Sequence, residues 1–117
     1  MEIITTNRPW GSFTRFTNNE TSTVKILHIN KGEELSLQYH THRQEFWKII
    51  KGSPEIIVGD EKREPKEGEE FVVEPMVKHR ISAPHNDVVV LEISKGFFDA
   101  SDIVRVSDKY NRVNESR

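Results

Sequence analysis

The sequence predicts a small all-β protein, built as a sandwich or a closed barrel. Short runs rich in β-branched and aromatic residues recur along the 117-residue chain, and turn signals such as Lys31-Gly32 and Gly59-Asp60 separate them. Helical periodicity is scarce. With 34% hydrophobic and 31% charged residues, the chain fits a compact core inside a heavily solvated surface. Its length suits one domain over residues 1–117.

The individual strands follow from the apolar alternation between successive turn residues. The stretch Arg-Pro-Trp-Gly at residues 8–11 is predicted to form the entry to the barrel, and Gly59-Asp60 predicts a tight hairpin. The charged segment 61–68 is predicted to be a solvated edge and loop. The predicted strands cover residues 12–16, 23–30, 34–40, 45–51, 55–58, 71–73, 78–82 and 88–93.

The chain changes character after Gly96, where a short C-terminal tail begins. Residues 99–102 are predicted to cap a short helical turn, and Ile103, Val104 and Val106 are predicted to pack against the barrel. Residues 113–117 are predicted to be disordered, since polar chain ends are commonly poorly ordered.

Composition narrows the class of protein. A formal net charge of −2 argues against a nucleic-acid partner, which would require a clustered basic excess. The absence of cysteine excludes disulfides and thiolate metal sites, and it fits a reducing cytoplasm. The first residues lack the features of a signal peptide, and no apolar run approaches the roughly 20 residues that cross a bilayer. We therefore predict a cytoplasmic protein without a membrane partner.

Candidate metal ligands concentrate in residues 38–52. Gln38, His40 and His42 alternate, so an extended strand would present all three side chains on one face. Glu45 follows them, and His79 lies downstream behind a Pro-containing turn. Imidazole and carboxylate groups on neighbouring strands are what a divalent metal in a β-scaffold requires. The sequence therefore predicts a metal site in a small barrel.

The position of His42 leaves two ligand sets open. Only Arg43 and Gln44 separate His42 from Glu45, and neither residue favours a two-residue hairpin. A longer turn that starts at Thr41 is easier, and it takes His42 off the strand. We therefore favour a set without His42 and keep His42 as an alternative ligand.

The spacing of these residues resembles the first motif of the cupin superfamily. That motif runs Gly, five residues, His, one residue, His, three or four residues, Glu, six residues, Gly. Gly32, Gln38, His40, Glu45 and Gly52 fit every interval, with Gln38 in the place of the first His. The resemblance implies a double-stranded β-helix, also called a jelly-roll barrel.

The second cupin motif runs Gly, five residues, Pro, one residue, Gly, two residues, His. Counted from Gly68, this interval reaches His79. The Pro and Gly positions of the motif hold Glu74 and Met76, and Pro75 is shifted by one. The two motifs together imply a ligand set of Gln38, His40, Glu45 and His79.

A closer resemblance is to the cupin domain of type II phosphomannose isomerases, usually the C-terminal part of bifunctional mannose-1-phosphate guanylyltransferases. Residues 8–13, 35–47, 77–80 and 102–110 carry this resemblance, so it covers nearly the whole chain. It implies a divalent metal, first of all zinc, with manganese, cobalt, nickel and iron as alternatives. One departure lies in the tail, where the Tyr-Gly-Arg of the family reads Tyr110-Asn111-Arg112.

The family resemblance implies an isomerase that converts mannose 6-phosphate to fructose 6-phosphate through an enediol. The proton would move through a base, with His42 and Lys25 as candidates. Arginines suit phosphate and sugar binding through their planar fork of donors. Trp47 is predicted to pack in the core, with sugar stacking as the alternative. The substrate-binding candidates are Arg43, Arg80, Arg105 and Trp47, with Lys25 a further phosphate candidate.

Two other functions fit the same residues. One is a non-catalytic or regulatory cupin that binds a sugar phosphate, and the other is a different cupin enzyme such as a nucleotide-sugar ketoisomerase. An iron dioxygenase is disfavoured because Gln38 stands where such enzymes keep a third His. We also expect a homodimer, because pairing would cover an open sheet edge.

Overall fold

The structure, a computed structural model, describes residues 2–112. This part of the chain contains strands and turns but no helix, and it therefore contains no helix that could span a membrane. The strands are β1 (Ile4–Arg8), β2 (Gly11–Arg15), β3 (Ser22–Ile29), β4 (Leu37–Tyr39), β5 (Gln44–Lys51), β6 (Glu55–Val58), β7 (Glu61–Arg63), β8 (Glu70–Val73), β9 (His79–Ser82), β10 (Val88–Lys95) and β11 (Val104–Ser107).

Two antiparallel sheets pack their apolar faces against each other. One sheet has the order β3-β10-β5-β8, and the other has the order β11-β4-β9-β6-β7. Strict alternation on the central strands sends every second side chain inward. The buried core residues are Ile29, Trp47, Ile49, Phe71, Val73, Val88 and Val90 from the first sheet, with Ile56, Ile81 and Ala83 from the second.

Core burial supplies the main stabilisation of this arrangement. Trp47, Ile49, Ile81 and Val90 are each fully buried, and burying such a side chain contributes about 1.5–3 kcal/mol. The all-β prediction is confirmed. Packing between two antiparallel sheets around one core is the jelly-roll arrangement that the cupin resemblance implies.

The N-terminal hairpin differs from the sequence prediction. β1 pairs with β2 so that Arg8 lies opposite Gly11, and Pro9 and Trp10 form the turn between them. This two-stranded sheet is separate from both sheets of the barrel, and the Trp10 side chain is 73% exposed. The Arg-Pro-Trp-Gly stretch is therefore the tip of an outlying hairpin rather than the entry to the barrel.

Segment 61–68 also differs in part from its prediction as edge and loop. After the Gly59-Asp60 turn the chain continues as β7, where Arg63 pairs with Ile56 and Glu61 pairs with Val58. All three residues of β7 are exposed, which explains why the composition indicated a solvated segment. The hairpin at Gly59-Asp60 itself is confirmed.

The tail forms a strand, β11, that the sequence did not predict. Residues 99–102 make a single turn, closed by the Asp102 N–H donating to the Asp99 carbonyl, and no helix follows. β11 then pairs with β4. Alternation on β11 turns Val104 and Val106 outward, with 42% and 43% exposure, and buries Arg105. The packing prediction for these two valines is wrong, and the disorder predicted for 113–117 lies outside the described residues.

Gly52 follows β5 at a point where the backbone of Asp87 and Val88 comes very close. Its φ is +94°, and a Cβ atom at this position would overlap the carbonyl oxygen of Asp87. The neighbouring Ser53 N–H donates to the Asn86 side chain at 2.8 Å. Glycine is therefore required here both for backbone conformation and for space, and β5 keeps the register that carries Glu45.

Candidate metal centre

Three buried side chains converge between the two sheets. His40 directly follows β4, Glu45 lies on β5 and His79 begins β9, and they are 3%, 2% and 1% exposed. His40 Nε2 lies 3.5 Å from Glu45 Oε2, and His79 Nε2 lies 3.5 Å from Glu45 Oε1. One ligand atom from each of the three residues lies within 4.8 Å of the others. The geometry therefore forms a compact nitrogen and oxygen cluster.

Each of the two histidines uses its Nδ1 atom for a hydrogen bond to a backbone carbonyl, so its Nε2 atom faces the cluster. His79 Nδ1 donates to the Val77 carbonyl at 2.9 Å, and His40 Nδ1 donates to the Asp102 carbonyl at 2.5 Å. Such bonds fix the ring orientation of metal-binding histidines. Among the described residues, neither His79 Nε2 nor Glu45 Oε1 has a hydrogen-bond partner, although both atoms are buried. A divalent metal would satisfy both orphaned atoms, so the donor set fits one.

Gln38 lies next to this cluster on β4, paired with His79 across the sheet. Its Nε2 lies 3.5 Å from His40 Nε2, and its Oε1 accepts a hydrogen bond from the Ser36 hydroxyl at 2.5 Å. Rotation of the carboxamide by half a turn exchanges its oxygen and nitrogen. The Ser36 hydroxyl both donates and accepts, so it can bond either atom. Gln38 can therefore turn its oxygen toward the cluster as a fourth ligand.

Burial sets the charge state of the three ligands. It lowers the pKa of His40 to about 4, against the opposing effect of the hydrogen bond to Asp102. It also lowers the pKa of His79, and it raises the pKa of Glu45 against the lowering effect of Arg43 and Lys25. Both imidazoles are consequently neutral at pH 7, the form in which histidine binds a metal.

A cavity of about 240 Å³ opens beside the cluster. Leu27, Leu35 and Phe98 give it apolar walls, and four basic side chains contribute positive charge. Such a mixture of apolar walls and a few polar groups is typical of small-molecule sites. A larger groove of about 500 Å³ near Gly52 holds none of the three ligands. The basic residues that line the cavity are Lys25, Arg43, Arg105 and Arg112.

Arg43 brings positive charge directly to the ligand atoms. Its side chain is 6% exposed, and its Nη2 lies 3.1 Å from His40 Nε2. Its Nε lies 3.8 Å from Glu45 Oε2. The Arg43 guanidinium and the Lys25 ammonium both contact the Phe98 ring, at 4.5 and 4.2 Å from its centroid. An anion that enters the cavity would therefore meet two cations next to the cluster.

Comparison with known sequences identifies the family. Residues 2–108 match the family described as mannose-6-phosphate isomerase C-terminal. The chain belongs to this family. It is 35% identical over 107 residues to a mannose-1-phosphate guanylyltransferase of Salmonella montevideo, and 33% identical over 107 residues to the xanthan biosynthesis protein XanB of Xanthomonas campestris pv. campestris. Each alignment covers 90% of this chain but 23% of the relative, so the relatives are much longer proteins.

Solved structures agree on the fold. A cupin protein from Bacteroides fragilis has a TM-score of 0.60 and 21% sequence identity, over 82% of this chain and 77% of that chain. The resemblance to the cupin domain of type II phosphomannose isomerases is confirmed, and so is the double-stranded β-helix. The family description names an isomerase, whereas the two relatives are named for guanylyl transfer and for xanthan biosynthesis.

Several site candidates of this isomerase-family chain do not reach the cavity. The His42 side chain is 85% exposed, and its backbone N–H and Nδ1 lie beside the Asp102 carboxylate. Arg80 donates to the carbonyls of Leu35 and Ser107. Trp47 is fully buried in the core, as its packing prediction required, so it presents no face for sugar stacking. The cavity instead receives Lys25, Arg43 and Arg105 from the predicted set.

Glu92 is a cavity residue that the sequence prediction missed. It lies on β10, is 8% exposed and lines the cavity together with Glu45. Burial and the nearby Glu45 raise its pKa to about 7. The sequence did contain a signal, a single carboxylate inside the most apolar strand. A buried carboxylate costs stability unless it has a partner or a function, so its presence there indicates one of the two.

Asp102 is the second missed residue, and it holds the turn that carries His40 and His42. Its carboxylate accepts hydrogen bonds from the Thr41 N–H at 2.8 Å and from the Thr41 hydroxyl at 2.6 Å. Burial opposes ionisation, but these bonds and one from the His42 N–H lower its pKa to about 2. Because its carbonyl also accepts a hydrogen bond from His40, the tail segment helps to hold the candidate metal site.

Met76 occupies the position at which the second cupin motif has glycine. Its φ is +71°, the left-handed conformation that glycine adopts readily and other residues adopt at a cost. The Met76 N–H donates to the His40 carbonyl at 2.7 Å. The turn therefore keeps the glycine geometry of the motif and uses it to fix the ligand His40.

Proposed function

We propose that this chain is a metal-dependent sugar-phosphate isomerase domain that interconverts mannose 6-phosphate and fructose 6-phosphate. The observation that carries the proposal is the buried cluster of His40, Glu45 and His79 beside a cavity with basic walls. The family description names the same activity. Guanylyl transfer, named for a relative of which this chain matches 23%, is not part of the proposal.

The ligands would be His40, Glu45 and His79, with Gln38 as the fourth through its amide oxygen. Zinc suits two neutral imidazoles and a carboxylate, and manganese, cobalt, nickel and iron accept the same donor types. When bound, the metal would polarise the sugar oxygens and stabilise negative charge on the enediol. Glu45 would supply the negative charge that binds the cation, and the two imidazoles would bind it without changing their protonation.

The basic residues would hold the phosphate and exclude water. Arg105 on β11 and Arg43 beside the cluster both line the cavity, and a guanidinium can bind two phosphate oxygens at once. Lys25 on β3 also lines the cavity and adds a third positive charge. Phe98 packs against Lys25 and Arg43, so it keeps both cations oriented and their surroundings apolar.

One observation favours a non-catalytic sugar-phosphate-binding domain as the second candidate. The Arg43 guanidinium lies next to His40 and Glu45, and its charge can balance the buried Glu45 carboxylate without a metal. In that case the cavity would bind a sugar phosphate through its cations alone.

We further propose a cytoplasmic protein that acts as a homodimer. The cytoplasmic location rests on the absence of cysteine, which is typical of a reducing compartment. The homodimer rests on the exposed outward side chains of the edge strand β3, where Val24 and Ile26 are 59% and 50% exposed. A sugar phosphate remains the proposed small-molecule partner.

Metal binding and turnover test the proposed function together. We expect the purified chain to bind about one divalent ion and to convert mannose 6-phosphate when zinc, manganese or cobalt is supplied. His79→Ala should abolish metal binding, because it removes one of three buried ligands. His85→Ala, at an exposed loop position, is the matched control and should retain it.

The outcomes separate the two candidates. Turnover that depends on metal and disappears in His79→Ala supports the isomerase. Binding of mannose 6-phosphate without metal and without turnover supports the non-catalytic domain. If His79→Ala keeps its metal, the two motifs do not form one site, and the proposed ligand set is wrong.

A further inference from the structure

Glu92 is a carboxylate that lies buried inside the barrel. It lies in the middle of β10 and is 8% exposed, and what it does expose faces the cavity. Within residues 2–112, no hydrogen bond and no ion pair within 4.0 Å reaches its carboxylate. Burying such a group costs stability, and an apolar side chain on the same strand would avoid that cost. A role beyond packing explains why a carboxylate stands here.

The strand register fixes the place of Glu92 relative to the metal cluster. It lies opposite Lys25 on β3 and opposite Trp47 on β5. Glu45 pairs with Ser94, two residues further along β10, so Glu92 and Glu45 are diagonal neighbours on the same face. Diagonal neighbours are separated by roughly 7–8 Å. Glu92 is accordingly not a member of the cluster whose ligand atoms lie within 4.8 Å, yet it faces the same cavity.

The other cavity groups are unsuited to proton transfer at carbon. His40 and Glu45 belong to the ligand cluster. Lys25 and Arg43 are cations that pack on Phe98, and a protonated amine or guanidinium has no lone pair to accept a proton. His42 is exposed outside the cavity. Glu92 is the remaining carboxylate of the cavity wall, and Lys25 opposite it can steady its negative charge.

We propose that Glu92 is the catalytic residue that carries the proton between C2 and C1 of the open-chain sugar phosphate. This inference rests on the proposed isomerase function. The carboxylate takes the proton from C2 of the aldose, the C–H electron pair becomes the C1–C2 double bond, and the carbonyl π pair moves to O1, which takes a proton from solvent water. Glu92 then returns its proton to C1, O2 gives its proton back to solvent, and the C2–O2 bond becomes the ketose carbonyl. The steps balance without any oxidant or reductant.

Glu92→Gln tests this role, because it keeps the size of the side chain and removes its basicity. We expect the variant to keep its metal content and to bind a phosphorylated sugar hydroxamate, a mimic of the enediol, within a few-fold of the wild type by calorimetry. Its kcat should fall at least 10²-fold, the usual contribution of a positioned base. The rate at which the C2 proton exchanges with solvent deuterium, measured by NMR, should fall by the same factor.

Two further variants make the result specific. Glu92→Asp retains a carboxylate one methylene shorter, and it should recover part of the exchange at C2. Glu70→Gln changes an exposed carboxylate on β8, and it should leave metal content, binding and turnover unchanged. Loss of metal in Glu92→Gln would show a role in metal binding and overturn the proposal.

The same measurements separate this inference from the proposed function. Turnover by Glu92→Gln within ten-fold of a working wild type would overturn the role of Glu92 and leave the isomerase intact. A metal-loaded wild type that binds the hydroxamate but neither turns over nor exchanges the C2 proton would overturn both.

Discussion

At the scale of single residues, burial lowers the pKa of the two histidines and raises the pKa of the two carboxylates. The pKa of His40 is lowered to about 4, so its ring stays neutral over the pH range in which a cell works. The pKa values of Glu45 and Glu92 are raised by the same burial. One environment therefore favours neutral imidazole ligands and disfavours two nearby negative charges, and a bound cation would offset the second effect.

The raised pKa of Glu92 predicts that the stability of the folded chain depends on pH. Its pKa rises from 4.5 to about 7 on folding, so the folded chain binds more protons between these values and its stability falls as the pH rises through this window. Glutamine does not titrate. We expect Glu92→Gln to raise the free energy of unfolding of the metal-free chain by on the order of 2–3 kcal/mol at pH 8 and by little at pH 4.5.

Urea denaturation in the presence of a chelator measures this difference. Glu70→Gln, at an exposed position, should change the free energy of unfolding by less than about 0.5 kcal/mol at both pH values. An equal gain for Glu92→Gln at pH 4.5 and pH 8 would mean that the ionised carboxylate is not what destabilises the chain.

The candidate ligands and Glu92 differ in how a sequence encodes them. Gln38, His40 and Glu45 lie on one strand-turn-strand unit, and His79 stands at a fixed distance from a turn glycine, so intervals along the chain predict all four as candidate ligands. Glu92 reaches the cavity through the pairing of β10 with β3 and β5. Such a register depends on contacts between distant parts of the chain, and no local spacing records it.

At the scale of elements, the apolar pattern predicted the longest strands well and the chain ends poorly. β3, β5 and β10 are the eight-residue strands, and their predicted limits differ from the observed ones by at most two residues. β11 was not predicted as a strand. Its valines were predicted to pack, but Arg105 is the buried residue of this strand and lines the cavity.

The turn before β9 predicts a stabilising substitution. Met76 holds φ at +71°, which costs a residue with a side chain about 1–2 kcal/mol. Glycine removes this cost but gains freedom in the unfolded chain, worth about 0.5–1 kcal/mol. Met76 is 60% exposed, so little packing is lost. We expect Met76→Gly to stabilise the chain by about 0.5–1 kcal/mol, measured as a rise in Tm of a few degrees.

Met76→Ala is the matched control for this turn. It shortens the side chain but keeps a Cβ atom in the left-handed conformation, so its Tm should stay close to that of the wild type. If both variants shifted the Tm equally, the lost side chain rather than the backbone conformation would be responsible.

At the scale of the whole molecule, the four-stranded sheet has an apolar face on each side. Val24 and Ile26 on β3 point away from the core and are about half exposed. Leu91 pairs with Ile26 on the next strand and extends the same outward surface. Phe46 is covered by Phe16, whose ring centroid lies 5.3 Å away. An antiparallel sheet with solvent on one side normally carries polar residues there, so this surface suits a protein contact.

The N-terminal hairpin presents a second apolar surface. Trp10 and Phe13 are 73% and 41% exposed, and every residue of β2 is exposed. A two-stranded hairpin is marginally stable by itself. In a two-fold dimer, the same patch meets its counterpart on the other copy, and the hairpin of one copy can pack on the partner. We therefore expect a mass twice that of one chain in sedimentation or light scattering.

Ile26→Glu tests this surface because it would bury two carboxylates, one from each copy, in an apolar contact. We expect it to weaken association at least ten-fold, since a buried unpaired charge costs several kcal/mol. Val104→Glu is the matched control: Val104 is 42% exposed on β11, the edge strand of the other sheet. If Ile26→Glu leaves the dimer intact and Val104→Glu dissociates it, the contact lies on the five-stranded sheet. A wild type that sediments as a single chain at all concentrations excludes the homodimer.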